Sequence, residues 1–230
     1  MNELLQYYFK IHVNVQEVVL VVALLIYALA LHEVGHAWVA LKLGDPTARD
    51  RGRITFNPIP HIDPLLTVVV PVLTILFTPV VFGGAKPVPV DASRFKHPAR
   101  GMMLVALAGP LTNFLLAIGF AVAIRLGVQG GWLDAQSPDD SFSLYDVFRL
   151  SVLVNLALTF FNLLPIPPLD GSRVVAWLLP SRIRAVYNAS ALFAMLLLVA
   201  ALLMGWGSRY VVWFLYHAYE RMFHFVADLW

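Results

Sequence analysis

The chain carries an unbroken apolar run, residues 18–31, that leads directly into five residues with three ionisable side chains. A run of this kind is helical in hydrocarbon, because a membrane helix pairs all of its backbone groups internally. Residues 32–36 read His-Glu-Val-Gly-His, and the apolar pattern resumes over residues 37–41. Ionisable groups flanked in this way inside a membrane are rare and usually functional. The sequence therefore predicts a membrane helix that carries polar chemistry in its later half.

The composition excludes an ordinary soluble domain, because 60% of the 230 residues are hydrophobic and only 13% are charged. The apolar runs have the length of helices and lack the alternation of barrel strands, so we predict an all-α polytopic membrane protein. We expect one integral membrane domain over residues 1–230, with a core at 16–175 and C-terminal helices at 180–230. The net charge of +2, without a basic stripe, excludes a nucleic-acid partner.

Residues 32–36 match the H-E-x-x-H pattern of zinc-dependent enzymes. His32 and His36 share one face of a helix, so both imidazoles can reach one metal ion. Glu33 is rotated by about 100° from His32 and can act as general base on a water beside that metal. The alternative is a pair of solvated histidines at a helix end. Because the apolar pattern continues beyond His36, we favour the metal site.

A third ligand must come from elsewhere in the chain, because a catalytic zinc takes three protein ligands. The chain has no cysteine, so the ligand is a histidine, aspartate or glutamate. Asp170 follows a proline-rich stretch, residues 165–168, at the membrane depth expected for His32 and His36. The alternative is that Asp170 only caps the next helix. We favour coordination, with one Zn2+ per chain.

Two basic loops flank the apolar run 65–82, and the positive-inside rule predicts both in the cytoplasm. One crossing cannot join two loops on the same side, so we predict a re-entrant or extended segment between the first two core helices of a helix bundle. The alternative is a plain spanning helix with one loop that violates the charge rule. The motif is then expected toward the cytoplasmic side. The basic residues are Lys42, Arg49, Arg51 and Arg53 before the run, and Lys86, Arg94, Lys96 and Arg100 after it.

Residues 83–90 contain glycines and prolines that exclude a helix, and they predict an extended edge with free backbone groups. Such an edge, which includes Gly84, can bind a substrate chain by strand addition. The alternative is an ordinary connecting loop. Asn113, in a helix predicted over 102–124, either bonds to its neighbours or contacts the substrate backbone.

The C-terminal part of the chain carries no motif. We predict a helix over 186–204 and a turn at 205–207. The last stretch, 210–230, is either a poorly hydrophobic crossing or a surface helix. His217 and His224 share a helix face there, but we do not expect a second metal site, since interfacial segments commonly collect histidine.

Three ordered motifs, at residues 32–36, 108–113 and 162–171, together resemble the site-2 protease family of intramembrane zinc metalloproteases. The resemblance implies that Glu33 is the general base. It also implies that Asn162, eight residues before the aspartate, holds substrate or water near the metal. The zinc ligands that it implies are His32, His36 and Asp170.

The expected function is hydrolysis of peptide bonds within or near transmembrane segments of membrane-protein substrates, as in regulated intramembrane proteolysis. The partners are then such substrates and the lipid bilayer, in a bacterial or archaeal cell membrane. No PDZ domain is apparent, so we expect a minimal form of the family. The alternative function is a membrane metal-ion transporter or metal-handling protein that uses the same side chains as an ion pathway. The oligomeric state is left open.

Overall fold

The computed structural model describes residues 15–77, 83–134, 143–204 and 208–228. Regular structure in these ranges is helical, which confirms the predicted all-α class. Short π-helical and 3-10 turns precede or separate some of the helices. The helices are α1 Val15–Lys42, α2 Thr47–Asp50, α3 Val70–Phe77, α4 Pro98–Gln129, α5 Leu144–Leu163, α6 Asp170–Leu178, α7 Ser181–Ala189, α8 Ala191–Leu203 and α9 Ser208–Asp228.

Helices α1, α4 and α5 form the centre of a membrane bundle. In the described ranges three helices are long and apolar enough to span a bilayer, at Val18–Lys42, Pro98–Gln129 and Leu144–Leu163. Small and branched side chains pack α1 against α5, with Leu29 and Leu158 both buried. The chain is thus a multi-pass membrane protein, as its composition predicts.

Helix α4 is longer than the 102–124 predicted for it, because it begins at Pro98 and ends at Gln129. Proline is favoured at the first helical position, where its missing N–H leaves no bond unmade. Pro110 lies inside this helix without ending it. Neighbouring helices satisfy the backbone groups that a membrane proline frees, which is why such prolines are tolerated.

The segment after α2 enters the bundle and returns to its starting point. Its first turns begin at Pro64, where the Asp63 side chain accepts hydrogen bonds from two backbone N–H groups at 3.0 Å. On the return, the Gly84 N–H donates to the Leu66 carbonyl at 2.9 Å, and the Thr67 hydroxyl donates to the Gly84 carbonyl at 2.7 Å. A helix that crossed the membrane would instead place residue 84 at the opposite membrane face, far from Leu66 and Thr67. The geometry is that of a hairpin, although residues 78–82 of the predicted 65–82 run lie outside the described ranges.

A buried carboxylate fastens the far end of the returning segment to the end of α1. Asp45 is 0% exposed and accepts hydrogen bonds from the backbone N–H of Asp91 at 2.7 Å and of Thr47 at 3.0 Å. Burial opposes ionisation of Asp45, but the Thr47 hydroxyl and these N–H groups outweigh it and lower the pKa of the carboxyl. The ionised Asp45 therefore stabilises this junction at neutral pH.

The single helix predicted over 186–204 is wrong, because the chain bends by 51° between α7 and α8. Ser190 lies at the break, and its hydroxyl donates to the Tyr187 carbonyl at 2.8 Å. Serine bonds of this kind compete with the helical pattern and favour helix ends. The turn predicted at 205–207 lies outside the described residues. Helix α9 packs on α4 and α5 through Met222 and Val226.

The hairpin predicts that the loops before and after it lie on the same side of the membrane. The chain has no native cysteine, so single cysteines report their side directly. We expect Asp50→Cys and Ala99→Cys to react with an impermeant maleimide from one side, and Trp132→Cys, beyond the far end of α4, from the other. Labelling of Asp50→Cys and Ala99→Cys from opposite sides would exclude the hairpin.

Candidate metal centre

Helix α1 and the first residue of α6 bring three ligand atoms together. The Nε2 atoms of His32 and His36 are 3.0 Å apart. The Asp170 Oδ2 lies 3.0 Å from the Nε2 of His32 and 3.2 Å from that of His36. Within the part of the chain that the structure describes, this is the one group of three such side chains placed to hold a metal.

The size and chemistry of this triangle fit a tetrahedral zinc ion. Zinc bonds to nitrogen and oxygen of about 2.0–2.2 Å separate neighbouring ligand atoms by roughly 3.3–3.6 Å. The three edges of 3.0–3.2 Å are only slightly shorter, so small side-chain shifts accommodate the ion. Two imidazoles with a carboxylate are ligands that zinc readily accepts.

Both histidines have their second ring nitrogen fixed by an acceptor. The Nδ1–H of His36 donates to the Val105 carbonyl at 2.7 Å, and that of His32 donates to the Asn113 Oδ1 at 2.6 Å. A carbonyl only accepts, so the hydrogen lies on Nδ1 and the lone pair of Nε2 points into the triangle. Histidine ligands in metal sites are usually oriented in this way.

A tight turn places Asp170 against the histidines. A Cβ on Gly171 would overlap the backbone carbonyls of Leu163 and Leu164, so only glycine allows this close approach of α6 to the end of α5. The Asp170 Oδ2 faces the Nε2 atoms of both histidines, and Leu169 precedes α6 without a side-chain cap. The contacts therefore favour coordination over the capping alternative.

Two glycines let α1 and α4 approach each other at this level. A Cβ on Gly109 would lie 2.5 Å from the Nε2 of His36 and 2.6 Å from the Cε1 of His32. A Cβ on Gly35 would overlap the Thr112 hydroxyl. Small residues at membrane helix contacts commonly serve this purpose. The sequence signals for Gly109 are its place in the 108–113 motif and in an otherwise apolar helix, and neither predicts its contact with the histidines.

Glu33 lies beside the returning segment, apart from the ligand triangle. It is buried, and its Oε2 accepts a hydrogen bond from the Val88 N–H at 2.7 Å. Two further contacts hold this segment in place. The Lys86 N–H donates to the His61 carbonyl at 2.9 Å, and the Arg53 guanidinium donates to the Lys86 carbonyl at 2.5 Å.

Arg53 and His61 are buried residues that sequence analysis missed as parts of the site. From the sequence, Arg53 has a role only as one of the basic residues of the loop before the 65–82 run. Burial, together with the positive charge of Arg53, lowers the pKa of His61, while the Thr55 carbonyl opposes that shift. His61 is therefore neutral at physiological pH. No sequence pattern marked either residue, because Arg53 bonds to the distant Lys86 carbonyl and His61 bonds to the Thr55 carbonyl in the irregular loop before it.

The three predicted substrate contacts have different surroundings. Asn113 is 0% exposed and faces His32, so its side chain is not open to a substrate. Both backbone groups of Gly84 are engaged by Leu66 and Thr67. Asn162 is half-buried, and its amide donates to the Leu158 carbonyl at 3.0 Å. Of the two asparagines only Asn162 has a partly exposed side chain, and its substrate role stays a prediction.

Comparisons with known proteins agree with this geometry. The sequence model of Peptidase family M50 matches residues 135–205. The "Putative zinc metalloprotease YwhC" of Bacillus subtilis is 38% identical over 190 residues, which cover 82% of this chain and 82% of YwhC. The "Putative zinc metalloprotease Rip2" of Mycolicibacterium smegmatis is 34% identical over 200 residues, 85% of this chain and 73% of Rip2. The chain belongs to peptidase family M50.

The M50 assignment confirms the resemblance to the site-2 proteases that the three motifs indicated. A more distant relative, "Zinc metalloprotease MJ0392" of Methanocaldococcus jannaschii, is 27% identical over 159 residues, 69% of this chain and 34% of that protein. No solved structure matches the chain. These relatives are named as metalloproteases, which weighs against the transporter alternative.

The contact between Gly109 and the histidines of this M50 chain predicts that Gly109→Ala weakens zinc binding. The added methyl group must push the imidazoles apart, so we expect a loss of about 10-fold or more in affinity. Chelator competition on the purified protein measures it. Gly119→Ala is the matched control on the same helix, because a Cβ there meets nothing within 4 Å. Equal affinities for the two variants would contradict the proposed ligand geometry.

Proposed function

We propose that this chain is an intramembrane zinc metalloprotease that hydrolyses peptide bonds within or near transmembrane segments of membrane proteins, as in regulated intramembrane proteolysis. The observation that carries the proposal is a ligand triangle with edges of 3.0–3.2 Å on helices of a membrane bundle, with Glu33 on the same helix as two ligands. Zinc is the metal in the names of the M50 relatives. Its proposed ligands are His32, His36 and Asp170.

The catalytic chemistry assigns separate tasks to the side chains. When bound, zinc supplies a Lewis acid that polarises the scissile carbonyl and makes water more acidic. Glu33 takes the proton of the attacking water and delivers it to the leaving amine. The Val88 N–H occupies one oxygen of Glu33 and fixes the carboxylate plane, which leaves the other oxygen for proton transfer. His32 and His36 keep their lone pairs in the site through their Nδ1–H bonds.

We propose that the site lies toward the cytoplasmic side, in the membrane of a bacterial or archaeal cell. The basic loops on either side of the hairpin support this orientation through the positive-inside rule. Asn162 lies in the last turn of α5, shortly before Asp170. Its position supports a role in holding the substrate backbone beside the metal.

The substrate must present extended backbone, because a helix buries its own carbonyls in hydrogen bonds. The segment 83–91 offers a docking edge with a distinctive pattern. From residue 84 to residue 88, every second residue donates its N–H group to the protein. The donors and acceptors are Gly84 to the Leu66 carbonyl, Lys86 to the His61 carbonyl, and Val88 to the Glu33 carboxylate. In an extended chain, alternate residues then face the opposite edge.

The residues of that opposite edge are Ala85, Pro87 and Pro89, and two of them are prolines without an N–H. The edge therefore presents mainly carbonyl acceptors, although the Pro87 carbonyl also lies 3.5 Å from the Arg53 guanidinium. A docked substrate strand would donate N–H groups to these carbonyls. Because Val88 contacts Glu33, a strand on this edge would lie next to the general base.

Strand addition at this edge predicts a periodic sensitivity to substrate proline. Single prolines placed along the docking strand of a substrate should weaken cleavage at every second position, where an N–H is lost, by about 5- to 10-fold for one hydrogen bond. Alanines at the same positions are the control for side-chain effects. Rates from purified enzyme in detergent give the pattern. Cleavage that is insensitive to proline at all positions would exclude strand addition.

The proposed general base predicts that Glu33→Gln abolishes hydrolysis and leaves zinc bound. Loss of acid-base catalysis should lower the rate by about 10²- to 10⁴-fold. Cleavage of single-span test substrates by purified protein, at equal zinc occupancy, measures the effect. Asp50→Asn, an exposed acid outside the site, is the control. Full cleavage by Glu33→Gln would contradict Glu33 as the general base. Absence of cleavage by both proteins, with metal-ion transport that survives Glu33→Gln, would favour the transporter alternative.

A further inference from the structure

We propose that Asn155 is a positioning residue for the metal site, acting through Asn113 on His32. The inference rests on the proposed zinc site and extends it to a residue that carried no functional prediction. Three hydrogen bonds form a continuous chain. The His32 Nδ1–H donates to Asn113 Oδ1 at 2.6 Å, Asn113 Nδ2 donates to Asn155 Oδ1 at 2.8 Å, and Asn155 Nδ2 donates to the Ser151 carbonyl at 2.8 Å.

Two backbone carbonyls fix which groups donate and which accept in this series of hydrogen bonds. Asn113 Nδ2 also donates to the Ala28 carbonyl at 3.2 Å. Backbone carbonyls only accept hydrogen bonds, so the NH2 group of Asn113 must face Ala28 and that of Asn155 must face Ser151. The amide oxygens then point toward His32 and Asn113 respectively. A flip of either amide would set oxygen against oxygen.

The burial of these hydrogen-bonded side chains makes any other arrangement of the hydrogen bonds unfavourable. Asn113 is 0% exposed and Asn155 is 3% exposed, and they lie on α4 and α5, which are long and apolar enough to span a membrane. An unsatisfied polar group in such surroundings costs about 1–3 kcal/mol or more, since water is not available as a partner. The network therefore links all three central helices in a single hydrogen-bonded state.

The consequence for His32 is a fixed tautomer and ring orientation. Its Nδ1 must carry the hydrogen, because only an acceptor faces it, and its Nε2 lone pair is left for the metal. His36 differs in this respect, since its Nδ1 partner is the Val105 backbone, which no side-chain substitution removes. The orientation of His32 therefore depends on side chains of two other helices, and Asn155 supplies one of the two acceptors that hold Asn113.

The test is the zinc affinity of purified protein in detergent, measured by chelator competition without any substrate. Asn155→Leu removes the acceptor for Asn113 at similar volume, and we expect it to weaken zinc binding by about 10-fold, the lower end of the range for residues that orient ligands. Asn155→Asp, which is protonated in this apolar site, keeps both hydrogen bonds and should bind zinc within about 2-fold of wild type. Thr159→Val, which removes a hydroxyl one turn along α5, is the matched control.

A second readout separates positioning from simple stabilisation. The visible absorption spectrum of the Co2+-substituted protein reports ligand geometry, and it should change in Asn155→Leu but not in Thr159→Val. Unchanged zinc affinity and cobalt spectrum in Asn155→Leu would overturn the proposal, whatever its thermal stability. If that variant does not fold, nitrogen NMR of the wild-type protein, labelled at its histidines, measures the tautomer of His32 instead. Hydrogen on Nδ1 of His32 supports the proposal, and hydrogen on Nε2 overturns it. All of these measurements are independent of proteolysis, so a failure of the proposed protease function would not be mistaken for a failure of this inference.

Discussion

Polar groups inside a membrane bundle must find their partners within the protein, and this constraint shapes the M50 chain. Its central helices are long and apolar enough to span a bilayer, yet they carry buried histidine, asparagine and glutamate. Each of these side chains meets a defined partner: His36 meets the Val105 carbonyl, His32 meets Asn113, and Glu33 meets the Val88 N–H. These hydrogen bonds also orient the imidazoles and the carboxylate. The same bonds therefore satisfy the buried polar groups and hold them in place for metal binding and catalysis.

The returning segment is the second element on which the site depends. It is held at its start by Leu66 and Thr67, at its middle by Arg53 and Glu33, and at its end by Asp45. This backbone is non-helical, yet its N–H groups are engaged by the protein on one edge. Irregular backbone at membrane depth is tolerated only when it is buried in protein or lines a cavity. The proposed docking of substrate on the opposite edge follows from this one-sided anchoring.

The parts of this structure that the sequence predicts are those that depend on local geometry. The spacing of His32 and His36 defines one helix face, and the prolines around residues 165–168 exclude a helix before Asp170. Gly109 lies in the 108–113 motif, but its contact with the histidines, like the contacts of Arg53 with Lys86 and of Asn155 with Asn113, joins residues far apart in the chain and follows from no local pattern. The sequence does not predict the bend at Ser190, because a single serine between Ala189 and Ala191 does not mark a helix end until its hydroxyl is seen to bond to the Tyr187 carbonyl. Asn113 is a polar residue in an apolar helix, but only the packing of three helices shows that it faces His32.

The central claim is that two histidines of α1 and the first residue of α6 hold one zinc ion inside the bundle. X-ray absorption at the zinc edge tests this most directly on purified protein in detergent. The account predicts one zinc per chain with two imidazole ligands and a carboxylate oxygen at about 2.0–2.2 Å. It also predicts loss of zinc in His36→Ala and a changed spectrum in Asp170→Ala. A zinc spectrum without imidazole scattering, or one unchanged by both substitutions, would contradict the account.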